Sequence, residues 1–385
     1  MKKKYKVLHL PSNTGGNPNG LSHALNSLGV DSTTMTLKQG CVEYPIDIIL
    51  WGKNDSIVAR LLKQFLALKD ALLYYDIIHF NFGTTLFSPI CHYSPKNTPF
   101  IKKILRILYS LYSQCMQSIE LKAFHILGKK MFIHYQGDDA RQGDFSLAHF
   151  QYSIASQVGE EYYNRHSDRF KRKSIQKMVK YCSQIYAVNP DLLHVLPKGS
   201  RFIPYCHIIL EEWQPIYTQN QADKPLKIGH APSHRKAKGT DLILRALAEL
   251  KTEGYCYELI LVEGLTYAEA RKKYETMDVF VDQLFAGWYG GVAVEVMALG
   301  KPVLVYIREE DLKFIPEEMK NDLPFINVNP DTIKDGLRNV LEMPRSELLY
   351  LAKKCRNYVE RWHNMFKIAE EIKKDYEISF EISNL

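Results

Sequence analysis

Short apolar runs alternate with segments of helical periodicity along almost the whole chain. Runs typical of buried strands lie at residues 5–10, 31–36, 76–83, 130–137, 185–188, 226–230, 258–262, 279–282 and 303–307. Helical patterns lie at residues 21–28, 57–73, 240–251, 268–274, 292–299, 332–342 and 346–377, the last interrupted near Trp362. Such alternation predicts an α/β fold in which helices cover parallel strands.

A polar segment divides this pattern into two parts. Residues 211–225 contain Pro215 and Pro225 and read as a linker. We therefore predict two doubly wound, Rossmann-like domains, residues 1–210 and 226–360, with an intervening cleft at the carboxyl ends of their strands. Residues 361–385 are predicted to form a helix that packs back on the first domain.

A glycine-rich loop in the second domain is the most informative stretch. The loop reads Gly287, Trp288, Tyr289, Gly290 and Gly291. It opens a helix, and N–H groups at the positive end of a helix dipole suit a diphosphate. Glu295, about one turn further on, can accept hydrogen bonds from two ribose hydroxyls. The stretch predicts a nucleoside diphosphate site, and an ordinary α/β turn is the alternative.

A basic loop follows the first strand of the same domain. Residues 231–241 place Arg235 and Lys238 just before a helix. Cations beside helix N–H groups suit a pyrophosphate leaving group. Because both loops follow strands of one parallel sheet, they are expected at one edge, where they can converge on one ligand. A solvated basic loop is the alternative.

These two motifs carry a family resemblance. Lys238-Gly-Thr-Asp and Gly287-Trp-Tyr-Gly-Gly-Val-Ala-Val-Glu295-Val-Met-Ala-Leu-Gly-Lys-Pro-Val resemble the group 1 glycosyltransferases, which are retaining enzymes of GT-B fold that use nucleoside diphosphate sugars. The resemblance implies that Lys238 contacts the diphosphate and that Glu295 contacts the ribose. The family's other glutamate, which contacts the donor sugar, corresponds to Gly287 here. The family's arginine usually stands further upstream than Arg235.

Site residues follow from the motifs and the resemblance together. The predicted donor-binding residues are Arg235, Lys238, Gly264, Asp282, Trp288, Tyr289, Gly290, Gly291 and Glu295. The predicted catalytic residues are His134, Lys238 and Glu295. The predicted acceptor-side residues are Gly15, Gly16, Asn17, His79, Asp138 and Arg141. A structural histidine is the alternative for His134, and mutual pairing is the alternative for Asp138 and Arg141.

The function implied is transfer of a sugar, with retention, from a nucleoside diphosphate to a glycan or lipid-linked acceptor, in cell-surface polysaccharide or glycolipid synthesis. No cofactor and no metal site are predicted, because the chain contains no Asp-x-Asp, His-Glu-x-x-His or phosphate-loop motif. Two alternatives stay open: a nucleotide-sugar-binding subunit without turnover, and a nucleotide-sugar epimerase on the same fold.

The net charge of +7 is unevenly distributed. Residues 101–130 contain six Lys or Arg and one acid, and Lys102, Lys103 and Arg106 interleave with an apolar stripe. Such a helix suits an anionic membrane surface, and ordinary core packing of the stripe is the alternative. No recognition motif accompanies the basic charge, so a nucleic-acid partner is not expected.

Cysteine usage and hydropathy bear on location. The seven cysteines are scattered without a Cys-x-x-Cys pair, which is typical of a reducing compartment. Neither a signal-peptide core nor an apolar run of about 20 residues is present. We therefore expect a cytoplasmic protein, with peripheral association at the inner face of the membrane if the basic stripe binds lipid.

Overall fold

The computed structural model describes residues 5–40, 44–91, 98–217 and 224–381. The chain divides into two compact units. Unit 1 comprises Met1–Asp144, Tyr163–His207 and Met365–Leu385, and unit 2 comprises Phe145–Tyr162 and Ile208–Asn364. The last helix therefore belongs to unit 1. The segment Phe145–Tyr162 belongs to unit 2, which departs from the predicted division into consecutive domains.

Unit 1 is a parallel sheet flanked by helices. Its strands are β1 (Lys6–Leu10), β2 (Asp31–Thr36), β3 (Ile48–Ile49), β4 (Ile77–Asn81), β5 (Lys130–Tyr135), β6 (Cys182–Ala187) and β7 (Arg201–Phe202). Its helices are α1 (Asn17–Ser27), α2 (Ile57–Tyr74), α3 (Phe100–Ile126), α5 (Arg165–Val179) and α13 (Met365–Glu381), while α4 (Gly143–His149) begins in unit 1 and continues into unit 2. Among the described residues, the strands pair in the order β3-β2-β1-β4-β5-β6-β7.

The two faces of this sheet differ in chemistry. One face packs an apolar core that includes Leu68 of α2 and Phe124 of α3. On the other face, His79 and His134 lie beneath Tyr376 of α13. Alternate residues of the same strands supply the two faces, as the pleat requires. Both faces are covered, which explains why the strands read as nearly continuous apolar runs.

Unit 2 repeats the architecture on a smaller scale. Its strands are β8 (Leu226–His230), β9 (Tyr257–Leu261), β10 (Val279–Val281), β11 (Val303–Val305) and β12 (Ile326–Asn327). Its helices are α6 (Arg235–Lys238), α7 (Thr240–Thr252), α8 (Tyr267–Thr276), α9 (Gly291–Ala298), α10 (Glu317–Asn321), α11 (Ile333–Glu342) and α12 (Arg345–Trp362). The described strands are parallel, in the order β12-β11-β10-β8-β9. The predicted α/β class with two doubly wound sheets is confirmed.

Each sheet contains a point where the strand order reverses. In unit 1 the chain runs outward from β1 and then returns to β4 on the other side of β1. In unit 2 the same reversal separates β8 from β10. Loops that leave neighbouring strands in opposite directions open a crevice at such a point, and ligands bind there in open α/β sheets. The loops after β8 and β10 are the two that the sequence motifs single out.

Gly20 provides a test of the packing in unit 1. A methyl group at Gly20 would lie 1.8 Å from the carbonyl oxygen of Cys206. In an open helix, Gly→Ala stabilises by about 1 kcal/mol, but here we expect Gly20→Ala to destabilise by about 1–3 kcal/mol or more, because backbone must shift. Urea unfolding measures the difference. Gly52→Ala, where the nearest atom is 3.4 Å away, is the control. Equal stability of the two variants would contradict this packing.

Candidate functional site

A buried histidine connects the two strands at the reversal point of unit 2. His230 ends β8, and its Nδ1 lies 2.8 Å from the carbonyl oxygen of Val281 in β10. Because a carbonyl only accepts, Nδ1 carries the proton, and Nε2 accepts from the Thr240 hydroxyl 2.9 Å away. Burial lowers the pKa of His230, so the ring is neutral at pH 7. His230 thereby holds the start of α7 against β10.

Asp282 joins the two loops that leave these strands. Its Oδ1 lies 2.8 Å from Lys238 Nζ, and its Oδ2 accepts a 2.6 Å hydrogen bond from the Gly290 amide. The Asp282 side chain is 1% exposed and that of Lys238 is 15% exposed. A Cβ at Gly290 would approach Lys238 Nζ to 3.2 Å. The predicted donor residues Lys238, Asp282 and Gly290 therefore form one cluster, with the ammonium group at its open side.

The start of α9 borders this cluster. The helix begins at Gly291 without a side-chain cap and without an acidic residue in its first turn. Gly290, Gly291 and Val292 are half-buried, and the exposed surface of the two glycines is backbone. An uncapped N-terminus beside a lysine offers amide donors and positive charge to an anion. This combination is what a diphosphate needs.

Glu295 lies further along α9 and is buried. Its carboxylate accepts a hydrogen bond from the Tyr267 hydroxyl of α8, and burial together with this carboxylate raises the pKa of Tyr267. Glu295 is 3% exposed. Because this carboxylate is enclosed and already bonded to Tyr267, the ribose role of Glu295 stays a prediction.

Trp288 and Tyr289 are core residues of unit 2. Their side chains are at most 1% exposed. The Tyr289 hydroxyl lies 2.9 Å from the Tyr358 hydroxyl and 3.0 Å from His363 Nε2, and its ring stacks on Phe325. Tyr289 thereby anchors the glycine loop to α12. Their predicted donor contact is therefore restricted to backbone atoms, because both rings are enclosed.

Gly287 lies against a residue that the sequence patterns did not single out. Gly287 has φ +77°, and a Cβ there would approach Arg308 Nη1 to 2.5 Å. Arg308 is buried, pairs with Asp311 at 2.8 Å and stacks over Phe150 with 3.6 Å between Cζ and the ring centre. The space that a side chain at position 287 would enter is thus occupied by the Arg308 guanidinium. The signal in the sequence that could have identified Arg308 is its place just after the carboxyl end of β11.

Arg235 of the basic loop contacts the segment after β9 that contains Glu263 and Gly264. Arg235 forms two hydrogen bonds with the carboxylate of Glu263, of 2.8 and 2.5 Å. Gly264 adopts φ +67°, and a Cβ there would have open space around it. The Arg235–Glu263 ion pair is largely exposed to solvent, so it contributes little to folding stability. Arg235 is thus paired with Glu263, whereas Lys238 is paired with Asp282.

A cavity of about 460 Å³ lies at the reversal point of unit 1. It is bordered by the loop after β1, by the loop after β4, and by the rings of Tyr44, Trp51 and Phe82. Phe82 has φ +57°, a strained conformation for a residue other than glycine. The predicted acceptor residue Gly15 lines this cavity. Aromatic faces beside hydroxyl groups such as Ser12 and Thr84 suit a sugar.

Gly16 and Asn17 directly follow the loop residues that line this cavity. Gly16 has φ +70°, and a Cβ there would approach the Tyr44 ring to 2.8 Å. Asn17 is buried, accepts from the Cys206 amide at 3.0 Å and donates to Gln136 Oε1 at 3.3 Å. Both residues position the loop after β1, and Asn17 does so through hydrogen bonds on both its side-chain oxygen and its side-chain nitrogen.

His79 and His134 form a buried hydrogen-bonded chain. His79 Nε2 lies 2.7 Å from His134 Nδ1, and His79 Nδ1 is bonded to the Tyr376 hydroxyl. Burial lowers the pKa of His79 well below its ordinary value and that of His134 to about 3. Both rings are neutral. His134 is 4% exposed, so its catalytic role stays a prediction and its observed contacts are structural.

Asp138 and Arg141 take part in one ionic group. Arg141 contacts Asp191 at 2.7 and 3.2 Å and Asp138 at 3.2 Å. The Tyr163 hydroxyl also donates to Asp138. Arg141 is 9% exposed. The alternative of mutual pairing describes these contacts, and the acceptor role of both residues stays a prediction.

Comparisons with known proteins address the fold. No family model matches the sequence, and no curated protein matches it either. Solved structures match over the whole chain. A sucrose-phosphate synthase from Thermosynechococcus elongatus has 16% identity and a TM-score of 0.57, covering 99% of this chain and 100% of that one.

Two further structures were obtained with nucleotides. The catalytic domain of starch synthase IV from Arabidopsis thaliana, bound to ADP and acarbose, has 12% identity and a TM-score of 0.57 over 98% of this chain and 99% of that one. Anabaena HepE in complex with UDP-glucose has 12% identity and a TM-score of 0.55 over 99% and 100%. The fold is GT-B. At these identities the likeness establishes the fold alone.

The structure was also searched for membrane-spanning helices and for metal-binding groups. No helix in the described part of the chain is long and apolar enough to cross a membrane. Within the same residues, no group of three or more His, Cys, Asp or Glu side chains could hold a metal ion.

We expect Lys238 to supply the charge that binds the diphosphate. Removing Lys238 alone would leave the buried carboxylate of Asp282 without its cation, which costs about 3–5 kcal/mol of folding stability. The double variant Lys238→Met with Asp282→Asn removes both charges. Its affinity for UDP, ADP or GDP should fall about 10- to 150-fold, the equivalent of one charge-assisted hydrogen bond. Calorimetry measures this, with the exposed Lys236→Ala as control. Unchanged affinity would remove Lys238 from the site.

Glu295→Gln should weaken nucleotide binding but not pyrophosphate binding. An amide accepts less well than a carboxylate from two ribose hydroxyls, whereas pyrophosphate has no ribose. We expect about a 10-fold loss of affinity for the nucleoside diphosphate, as for one hydrogen bond to a charged group. Tyr267→Phe is the matched variant, since it removes the other partner of Glu295. An equal loss in Tyr267→Phe would show that Glu295 acts only through the protein interior.

Proposed function

We propose that this protein is a glycosyltransferase that uses a nucleoside diphosphate sugar. The observation that carries the proposal is the cluster of Lys238, Asp282 and Gly290 at the strand-order reversal of unit 2. An ammonium group, an uncapped helix start and accessible glycine backbone converge there. Solved structures of the same fold contain UDP, UDP-glucose or ADP, which supports the same ligand class.

The proposed reaction proceeds with retention at the anomeric carbon. The bond from the anomeric carbon to the diphosphate oxygen breaks, and the acceptor hydroxyl forms the new bond on the same face. The departing phosphate oxygen takes the proton of the acceptor hydroxyl. Lys238 and the first amides of α9 neutralise the negative charge that develops on the leaving group. No protein nucleophile is needed.

We assign the acceptor to unit 1. The aromatic-lined cavity between the loops after β1 and β4 can hold a sugar, with Trp51 and Tyr44 as flat apolar surfaces and Thr84 as a polar partner. The acceptor proposed is a glycan or a lipid-linked saccharide, in cell-surface polysaccharide or glycolipid synthesis. The proposed location is the cytoplasm, at the inner face of the membrane when the acceptor is lipid-linked.

One observation favours a second candidate, a nucleotide-sugar-binding subunit without turnover. Gly287 replaces the glutamate that contacts the donor sugar in the resembling family, and Arg308 occupies the adjacent space. A site without that carboxylate can still bind the diphosphate through Lys238. Turnover distinguishes the two candidates.

The test begins with a screen that measures which nucleotide sugars raise the melting temperature of the protein. Transfer of the sugar to lipid-linked or soluble glycan acceptors is then assayed. We expect release of the nucleoside diphosphate and a product whose anomeric configuration, determined by NMR, equals that of the donor. Activity should persist in EDTA, because Lys238 and α9 supply the positive charge at the diphosphate. Lys236→Ala serves as the active control, and Lys238→Met with Asp282→Asn as the inactive one.

Several outcomes would contradict this proposal. Donor binding without any turnover would favour the binding-subunit candidate. An inverted product would contradict front-face transfer. Loss of activity in EDTA, restored by Mg²⁺ or Mn²⁺, would contradict the role given to Lys238 and α9.

A further inference from the structure

The first three turns of α3 present apolar side chains to solvent. Phe100 is 76% exposed, Ile101 71%, Leu105 59% and Leu108 56%. Ile101, Leu105 and Leu108 recur at helical spacing and Phe100 borders them, so these side chains form one apolar stripe that is open to solvent. A soluble monomer rarely exposes a contiguous apolar patch of this kind without an interaction to make.

The other half of α3 is firmly held in unit 1. The buried Glu120 accepts hydrogen bonds from the amides of Leu86 and Phe87, at 3.0 and 3.1 Å. Phe124 is fully buried. The contacts nearest the exposed half are from Arg106 Nε and Ser110 Oγ to the carbonyl groups of Cys91 and Ile90. The exposed half therefore extends from an anchored base.

Helix α2 adds a second exposed apolar stripe. Val58, Leu62, Leu66 and Leu73 recur at helical spacing and are 75%, 59%, 48% and 60% exposed. Helices α2 and α3 are in contact and contribute to the same core of unit 1. We call these two stripes together the α2–α3 surface. The alternative that the stripe of α3 is ordinary core does not hold for residues 100–109, because most of them are exposed.

The charge around this surface is positive. The sequence contains no Asp or Glu between Asp76 and Glu120, whereas Lys102, Lys103 and Arg106 lie on the exposed half of α3. Each Lys or Arg near an anionic bilayer increases partitioning about fivefold. Cations beside apolar side chains are typical of helices that lie in a membrane interface.

We infer that the α2–α3 surface docks unit 1 on an anionic lipid leaflet, with the first three turns of α3 inserted among the headgroups. The docking stands on the surface itself. Only the consequence that a lipid-linked acceptor is thereby brought to unit 1 rests on the proposed function. The cavity lined by Trp51 belongs to the same unit, and Trp51 stacks with Arg60 of α2.

A second copy of the chain is a poorer occupant of this surface. A two-fold contact would bring Lys102, Lys103 and Arg106 of both copies together, because such an interface pairs the same patch on each side. The segment from residue 77 to residue 119 offers no carboxylate to compensate. Anionic headgroups supply the missing charge.

Vesicle co-sedimentation of the full chain tests the inference. Phosphatidylcholine vesicles with and without phosphatidylglycerol are compared at about 50 and 500 mM salt, because screening weakens surface electrostatics. We expect binding to anionic vesicles that salt reduces. Neutralising Lys102, Lys103 and Arg106 to Gln should lower the partition coefficient about 100-fold, as three fivefold factors imply.

The apolar part of the surface is tested separately. Leu105→Ser with Leu108→Ser should lower partitioning at least 10-fold, since each substitution removes an apolar side chain that the bilayer would otherwise bury. Tyr350→Ser is the matched control, because Tyr350 is 58% exposed but lies in unit 2. Circular dichroism checks that the variants fold, which exposed positions should permit.

Nucleoside diphosphate affinity is measured on the same variants. Normal affinity without vesicle binding at low salt would overturn the docking and leave the proposed function standing. Vesicle binding without nucleotide binding would do the reverse. A dimer in sedimentation velocity that Leu105→Ser with Leu108→Ser dissolves, without vesicle binding, would assign the surface to a second copy and overturn the inference.

Discussion

The buried carboxylate of Asp282 determines how the loops of unit 2 are arranged. A carboxylate removed from water must be paired or hydrogen-bonded, and Asp282 meets this requirement with Lys238 on one loop and the Gly290 amide on the other. The two loops are thus held together without a ligand. The lysine is left at the open side of the cluster, where an added anion can share its charge with Asp282.

Other features of the site follow from this arrangement. A Cβ at Gly290 would approach Lys238 Nζ to 3.2 Å, so the glycine lets the loop and the lysine lie close together. The neutral ring of His230 fixes β10 to the start of α7, so the basic loop starts from a rigid base. Tyr289 anchors the glycine loop on its inner side. A site held in this way needs little reorganisation when charge develops on a leaving group.

Much of the architecture could be predicted from the sequence, because parallel strands covered on both faces leave a strong alternating pattern. The two motif loops were expected at one sheet edge, and Lys238, Asp282 and Gly290 do meet there. The packing of Arg308 over Gly287 and the membership of Phe145–Tyr162 in unit 2 could not be predicted, since both depend on contacts between residues distant in sequence. The burial of Trp288 and Tyr289 escaped prediction for the same reason, because a glycine-rich loop gives no sign of which face its aromatic side chains take.

Hydrogen–deuterium exchange with and without a nucleoside diphosphate tests the central claim most directly. The claim is that the diphosphate binds between the loop before α7 and the start of α9. We predict slower exchange at residues 235–241 and 287–293 in the presence of UDP, ADP or GDP, and no such change with the nucleoside alone. Unchanged exchange in both segments at a saturating nucleotide concentration, or protection confined to other parts of the chain, would contradict the account.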